Sequence, residues 1–136
     1  MQYNAMELMI CCAARELEDG KAVAVGTGAP CAAAMLALRL HAPNLVVLFE
    51  AGGIAPELPT MPISVGDSRT FYRGAMATSM ADVMETCQRG MIDYTFLGGA
   101  QIDAYGNLNS TMIGTDYRHP KVRFPGSGGA NDLASL

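Results

Sequence analysis

The chain has 136 residues, half of them hydrophobic and 16% charged, with a formal net charge of −4 and a pI of about 5.0. That length suits a single domain, residues 1–136, with an ordinary core, and the acidic balance excludes the broad basic footprint of a nucleic-acid binder. So low a charge content points to surface that meets another polypeptide, while the crowding of Arg69, Arg73, Arg89, Arg118, Lys121 and Arg123 into the second half leaves room for a local anion site.

In chain order, Met6, Met9, Ile10, Ala13 and Leu17 recur at helical spacing, which predicts an amphipathic opening helix stopped by Gly20. Residues 21–25 form a short apolar run, Gly26-Thr27-Gly28-Ala29-Pro30 a turn, and residues 31–41 a helix rich in Ala, Leu and Met. Arg39 is that helix's only charge, so it is expected to be buried on more than one side. Leu45-Val46-Val47-Leu48-Phe49 lacks polar alternation, as a strand covered on both faces does, and it ends at Glu50. Ala51-Gly52-Gly53 allows tight backbone geometry, and Pro56, Pro59 and Pro62 make the stretch to Gly66 an irregular loop.

Ser79 as a cap, Asp82 three residues on and Gly90 as a stop bound a helix over residues 80–89. Residues 92–97 read as a strand followed by Gly98-Gly99. A turn at Tyr105-Gly106-Asn107 then makes a hairpin-like excursion of residues 101–103 and 108–113, and residues 121–124 form a last strand leading into Gly126-Ser127-Gly128-Gly129-Ala130. Strands alternating with helices predict an α/β fold, an open, mainly parallel sheet with helices on both faces. Ligands of such sheets collect beyond the carboxyl ends of the strands, where Glu50 and the glycine loops at 26–30, 98–99 and 126–129 fall.

Glu50 follows five apolar residues, so its carboxylate starts at the rim of a desolvating core, and the small residues Ala51, Gly52 and Gly53 leave space beside it for a substrate. The plainer alternative is a strand-end glutamate turned into water. A glutamate is ionised at neutral pH without a neighbouring base, and its attack on a thioester gives a mixed anhydride with thiolate as leaving group. Backbone N–H groups of glycine turns can hold the oxyanion. The Gly26-x-Gly28-x-Pro30 turn lacks the third glycine of a dinucleotide fingerprint and the lysine of a P-loop, so by itself it is either a phosphate cradle or a plain turn. The Gly126–Gly129 run can equally be a flexible connector.

Cys11, Cys12, Cys31 and Cys87 have no metal-like spacing and read as reduced, buried thiols, so no metal is expected. His41 and His119 show no nearby catalytic partner, and the methionines between Met76 and Met84 read as core or interface filler. No apolar run reaches membrane-spanning length and the N-terminal residues lack a signal-peptide pattern, so the expected compartment is the cytoplasm.

The run from Gly98 to Thr111, with His119-Pro120-Lys121-Val122-Arg123-Phe124 and Gly126-Ser127-Gly128-Gly129-Ala130-Asn131, resembles family I coenzyme A transferases, in particular beta subunits of the glutaconate CoA-transferase type. Val25-Gly26-Thr27-Gly28-Ala29-Pro30, His41-Ala42-Pro43 and Ser64-Val65-Gly66-Asp67 extend the resemblance over nearly the whole chain. It implies that Glu50 attacks an acyl-CoA and later carries coenzyme A as a glutamyl thioester, although the family's Glu-Ser-Gly motif here reads Glu50-Ala51-Gly52. It implies oxyanion and coenzyme A contacts from Gly26, Gly28, Pro30, Gly128 and Gly129, and substrate-pocket roles for Ala51, Gly52, Gly53, Gln101 and Asp103. It further implies an alpha-type partner subunit, an acyl-CoA and a small dicarboxylic or other carboxylic acid as substrates, no permanently bound cofactor, and a family domain whose C-terminal portion is missing here. Three activities stay open: CoA transfer, acyl-CoA hydrolysis or decarboxylation on the same fold, and an inactive subunit that only binds.

Overall fold

The structure is a computed structural model that describes residues 2–134. Asn4 opens α1 (Ala5–Arg15) with a capping box, its side chain accepting from the Glu7 amide while the Glu7 carboxylate accepts from its own. Ala14 is buried and Ile10 and Ala13 pack on the core, with buried Leu17 just past the helix, whereas Met6 and Met9 are exposed. Of the expected apolar face, Ile10, Ala13 and Leu17 therefore join the core beside α2, together with Ala14, and only the two methionines stay outside it.

β1 (Ala22–Val25) feeds through Gly28 into α2 (Ala29–Leu40), with Pro30 in the first turn, where a missing N–H costs nothing. α2 buries Cys31, Ala33, Ala34 and Ala37, small residues that let it lie close to both α1 and β1. β2 (Val46–Leu48) runs parallel to β1 with Val23 beside Val47, and β5 (Tyr94–Phe96) runs parallel on β1's other side with Thr95 beside Ala24. The short strands β3 (Gly53–Ile54) and β4 (Met76–Ala77) add antiparallel edges, giving the order β4-β3-β2-β1-β5. The expected irregular loop thus begins with a strand, and the Met76–Met84 stretch opens on an edge strand with Met76 and Met80 exposed.

Strand alternation distributes the core. Val23, Val25, Val47 and Phe49 join the α1 and α2 side, while buried Ala24 and Leu48 face the other way. The connection from β1 to β2 steps one way along the sheet and that from β2 to β5 steps back past β1. Right-handed crossovers therefore put α2 and α3 (Met80–Gln88) on opposite faces. α3 opens as expected, with Ser79 and Asp82 forming a capping box, and buries Val83 and Cys87. Cys31 and Cys87 are buried, and burial pushes the Cys31 thiol up to about 11, but Cys11 and Cys12 are exposed on α1.

The described residues divide into two compact units, parting between Phe96 and Leu97. In the second, β6 (Gln101–Ile102) pairs with β7 (Leu108–Asn109) and β8 (Met112–Ile113) with β9 (Val122–Arg123), both antiparallel. Residues 108–113 thus serve two ladders rather than one. A single helical turn, α4 (Ala130–Leu133), follows the glycine run.

Candidate active site

Glu50 stands in the turn that joins β2 to β3. The Gly52 amide donates to the Phe49 carbonyl (2.9 Å) and the Phe49 amide to the Gly53 carbonyl (2.9 Å), closing the hairpin around Glu50 and Ala51. Phe49 is fully buried, so the chain leaves the core at this point and Glu50 is half-buried at its rim. Among the described residues, no hydrogen bond or ion pair engages its carboxylate.

The space expected beside Gly52 and Gly53 is filled by the chain itself. A Cβ on Gly52, whose φ is +111°, would lie 1.9 Å from the Thr78 carbonyl oxygen, and one on Gly53 would lie 1.9 Å from that of Thr70. Both glycines are buried, and the Thr78 amide donates to the Gly52 carbonyl (2.9 Å). These two positions pack backbone on backbone, and only Ala51 keeps part of its surface open.

Two segments brace the turn from behind. The Thr78 hydroxyl donates to Asp82 (2.6 Å), tying the turn to the start of α3. Thr70, fully buried in the 3-10 helix Ser68–Phe71, donates through its hydroxyl to the Asp67 carbonyl (2.7 Å), with that of Val65 at 3.0 Å. Asp67 caps this turn, accepting from the Arg69 amide (2.9 Å) and pairing with its guanidinium (2.6 Å), which also donates to the Met61 carbonyl (2.8 Å). The Arg69 side chain beside it holds the Asp67 carboxyl far below the usual carboxylate range. Thr70 and Thr78 escaped the sequence reading. The adjacent glycines were the available signal, since glycine in a strand marks close backbone approach as well as open space.

The second-half cations do not form one anion site: Arg69 belongs to Asp67, Arg73 to Glu57 and Arg89 to Glu85.

Across from Glu50, the β1–β2 register carried two residues on brings Gly26 to the same edge of the sheet. There the turn into α2 is open: a Cβ on Gly26 or Gly28 meets nothing within 4 Å, and Gly28, at φ +83°, caps the helix without a side-chain bond. Pro30 has no N–H, so the donors offered at this end come from neighbouring residues. An uncapped helix start favours an anion or a developing oxyanion. A separate apolar cavity of ≈ 540 Å³, lined by Leu38, Leu45, Val47 and Leu58 among others, lies toward the beginning of β2 and is not lined by Glu50.

In the second unit, Gln101 accepts from Asn109 (2.7 Å) across the β6–β7 ladder. Asp103 accepts from the Asn107 side chain (2.8 Å) and from the Asn107 and Tyr105 amides (both 2.9 Å), which depress its pKa and commit its oxygens to shaping its own turn. Gly128, at φ +53°, and Gly129 lead into α4. Beside them a depression of ≈ 330 Å³ is lined by Ser110, Thr111, Ser127, Ala130 and Asn131, but not by Gln101, Asp103, Gly128 or Gly129 themselves. Among the described residues no cluster of His, Cys, Asp and Glu is placed to hold a metal, and no helix is long and apolar enough to cross a membrane.

At the sheet's carboxyl edge, where ligands of such folds collect, a half-buried carboxylate with no partner among the described residues thus stands beside an open glycine turn. Residues 6–136 match the Coenzyme A transferase family, and the chain belongs to it. It is 41% identical to the beta-type subunit of the 3-oxoadipate CoA-transferase of Pseudomonas knackmussii, over 97% of this chain and 51% of that one. Identity to the beta-type subunit of the glutaconate CoA-transferase of Acidaminococcus fermentans is 39%, over 98% and 52% respectively. The solved glutaconate coenzyme A-transferase of that species superposes with a TM-score of 0.88 at 38% identity, over 98% of this chain and 53% of that one. The decarboxylase AibA/AibB gives 0.83 at 32%, over 98% and 56%. The chain thus spans about half the length of the curated relatives it matches.

Proposed function

We propose that this chain is the nucleophile-bearing, beta-type subunit of a CoA-transferase that moves coenzyme A from an acyl-CoA to a small carboxylic or dicarboxylic acid. The observation that carries this reading is Glu50 itself, half-buried, without a partner among the described residues and fixed in a braced turn at the sheet's carboxyl edge. Its carboxylate attacks the thioester carbonyl, forming a glutamyl-acyl anhydride as the C–S bond breaks and coenzyme A leaves as thiolate. The thiolate then attacks the glutamyl carbonyl, releasing the donor acid and leaving a glutamyl thioester. The acceptor acid reverses these steps, and Glu50 returns as a carboxylate with no net proton taken up.

Gly26 and Gly28, with the start of α2 at Pro30, would supply oxyanion and thioester contacts. The family resemblance adds Gly128 and Gly129 to these contacts, and Ala51, Gln101 and Asp103 to the surroundings of the substrate. No cofactor beyond the coenzyme A thioester is required. An alpha-type partner completes the enzyme, a reading supported by two relatives that are each named as a single subunit of a CoA-transferase and by exposed Met6, Met9, Leu40 and Met91.

The test is mass spectrometry of the chain, assembled with its alpha-type partner and incubated with acyl-CoA. A coenzyme A adduct should appear on the Glu50 peptide, and Glu50→Ala should lose it together with roughly a thousandfold or more of kcat. Steady turnover without an acceptor acid would instead assign hydrolysis or decarboxylation, and an unlabelled, inactive assembly would assign a subunit that only binds.

A further inference from the structure

The apolar cavity toward the beginning of β2 lies wholly within the first compact unit. Its volume of ≈ 540 Å³ falls inside the roughly 300–1,000 Å³ typical of small-molecule sites. Its inner wall is part of the core: Leu45 and Val47 are buried, and Leu38 and Leu58 pack on the same cluster. An apolar group that enters such a space gains burial and gives up no hydrogen bond.

The outer wall is a strained loop held at both ends. Among the described residues two non-glycine residues have positive φ, Ala55 at +48° and Arg73 at +49°. Ala55 lines the cavity, while Arg73 follows the lining residue Tyr72 and pairs with the lining residue Glu57 (3.2 Å). The Ala55 amide donates to the Val47 carbonyl (2.7 Å) and the Glu57 amide to the Tyr72 carbonyl (2.9 Å), so the wall is fixed both to the sheet and to the segment behind it. Pro56 and Pro59 stiffen it further. Backbone kept in a costly conformation by its surroundings is characteristic of ligand clamps.

One charge at the rim is uncommitted. Arg39, in the last turn of α2, lines the cavity and is exposed, and among the described residues no hydrogen bond or ion pair engages its side chain. Glu57, the acid on the lining, is already taken by Arg73. An apolar cavity with a free guanidinium at its rim is complementary to a molecule with an alkyl tail and a single carboxylate.

We propose that this cavity binds amphipathic monocarboxylates, with the tail between α2, β2 and the loop 55–59 and the carboxylate on Arg39. The site lies toward the opposite end of β2 from Glu50 and so stands apart from the transferase reading.

Calorimetric titration of octanoate into the full chain tests it, with butyrate and 1-octanol as separate arms. Octanoate binds, and affinity rises about threefold for each methylene added from butyrate upward, the worth of a buried CH₂. 1-Octanol, which has the tail without the charge, binds about tenfold more weakly. Arg39→Gln weakens octanoate about tenfold and leaves 1-octanol unchanged, whereas Arg15→Gln, which removes another exposed cation from α1, changes neither. Both arginines are exposed, so these variants keep the fold. The proposal is overturned if octanoate does not bind, if affinity does not rise with chain length, if 1-octanol binds as tightly, or if Arg15→Gln weakens octanoate as much as Arg39→Gln. Glu50→Ala should bind octanoate normally. Loss of binding there would move the ligand to the reacting carboxylate and sink this inference, while failure of Glu50 to become labelled leaves it untouched.

Discussion

Two pairs of glycines at the same edge of one sheet do opposite work. Gly52 and Gly53, after β2, have carbonyls of Thr78 and Thr70 where a side chain would begin, whereas Gly26 and Gly28, after β1, have nothing within 4 Å. The first pair lets the protein's own backbone close behind Glu50 and hold it. The second leaves a way in for something else. For the mechanism proposed above, rigidity behind Glu50 and access in front of it are complementary needs, since attack requires a fixed carboxylate and an unobstructed substrate.

The sharpest way to break this contrast is to add one methyl group on each side. Gly52→Ala must both enter a positive-φ conformation and displace the Thr78 backbone, and is expected to cost about 3 kcal/mol of stability in urea unfolding of the chain. A variant as stable as the wild type would show that the turn is not braced as described. Gly26→Ala has neither a positive φ nor a neighbour to displace. Its stability should stay within about 0.5 kcal/mol of the wild type, while transfer activity of the assembled enzyme falls about tenfold through a spoiled oxyanion approach. Unchanged activity there would take away the turn's proposed role.

The same contrast shows how much the sequence could tell. Long periodic elements were readable: α1, α2, α3 and the parallel strands β1, β2 and β5 lie where spacing, caps and apolar runs put them. So was the position of Glu50 at a strand end. The two-residue strands β3 and β4 were not, because a ladder formed by Gly53 with Ala77 and Ile54 with Met76 is set by partners more than twenty residues apart and leaves no local pattern. For that reason the glycines after Glu50 read as space for a ligand: the carbonyls that fill it arrive from Thr70 and Thr78, whose approach only the folded chain reveals. On α1 the spacing marked Ile10, Ala13 and Leu17, which pack on the core, together with Met6 and Met9, which stay exposed, because spacing alone does not tell where along a helix its neighbour lies.

Thr70 sharpens the comparison by weakening the brace without touching a glycine. Thr70→Val keeps the shape and removes the hydroxyl that bonds Asp67 and Val65, which should cost about 1 kcal/mol. Hydrogen exchange should show the loss as faster opening of the Phe49–Gly53 closure, with the β1–β5 pairing unaffected. Equal protection across both would mean that the Thr70 segment and the turn are not coupled.

The smallest effect concerns pH and isolates the far end of the same brace. Arg69 keeps the folded Asp67 ionised well below the range where an unfolded aspartate, with a pKa of about 3.9, takes up its proton. Because the folded value is the lower one, the unfolded chain binds more protons in this window. The contribution is complete above the unfolded pKa and is lost as pH falls through it toward the folded value. Between about pH 5 and pH 2 the wild type should therefore lose stability more steeply than Asp67→Asn, while above about pH 5 the gap between them stays constant. The acid slope does not vanish in the variant, since Asp19, Asp82, Asp93, Asp103 and Asp116 are depressed by their own hydrogen bonds. Parallel curves at low pH would mean that the Asp67–Arg69 pair adds nothing to the support behind Gly53, leaving Thr70 and Thr78 to hold the turn alone.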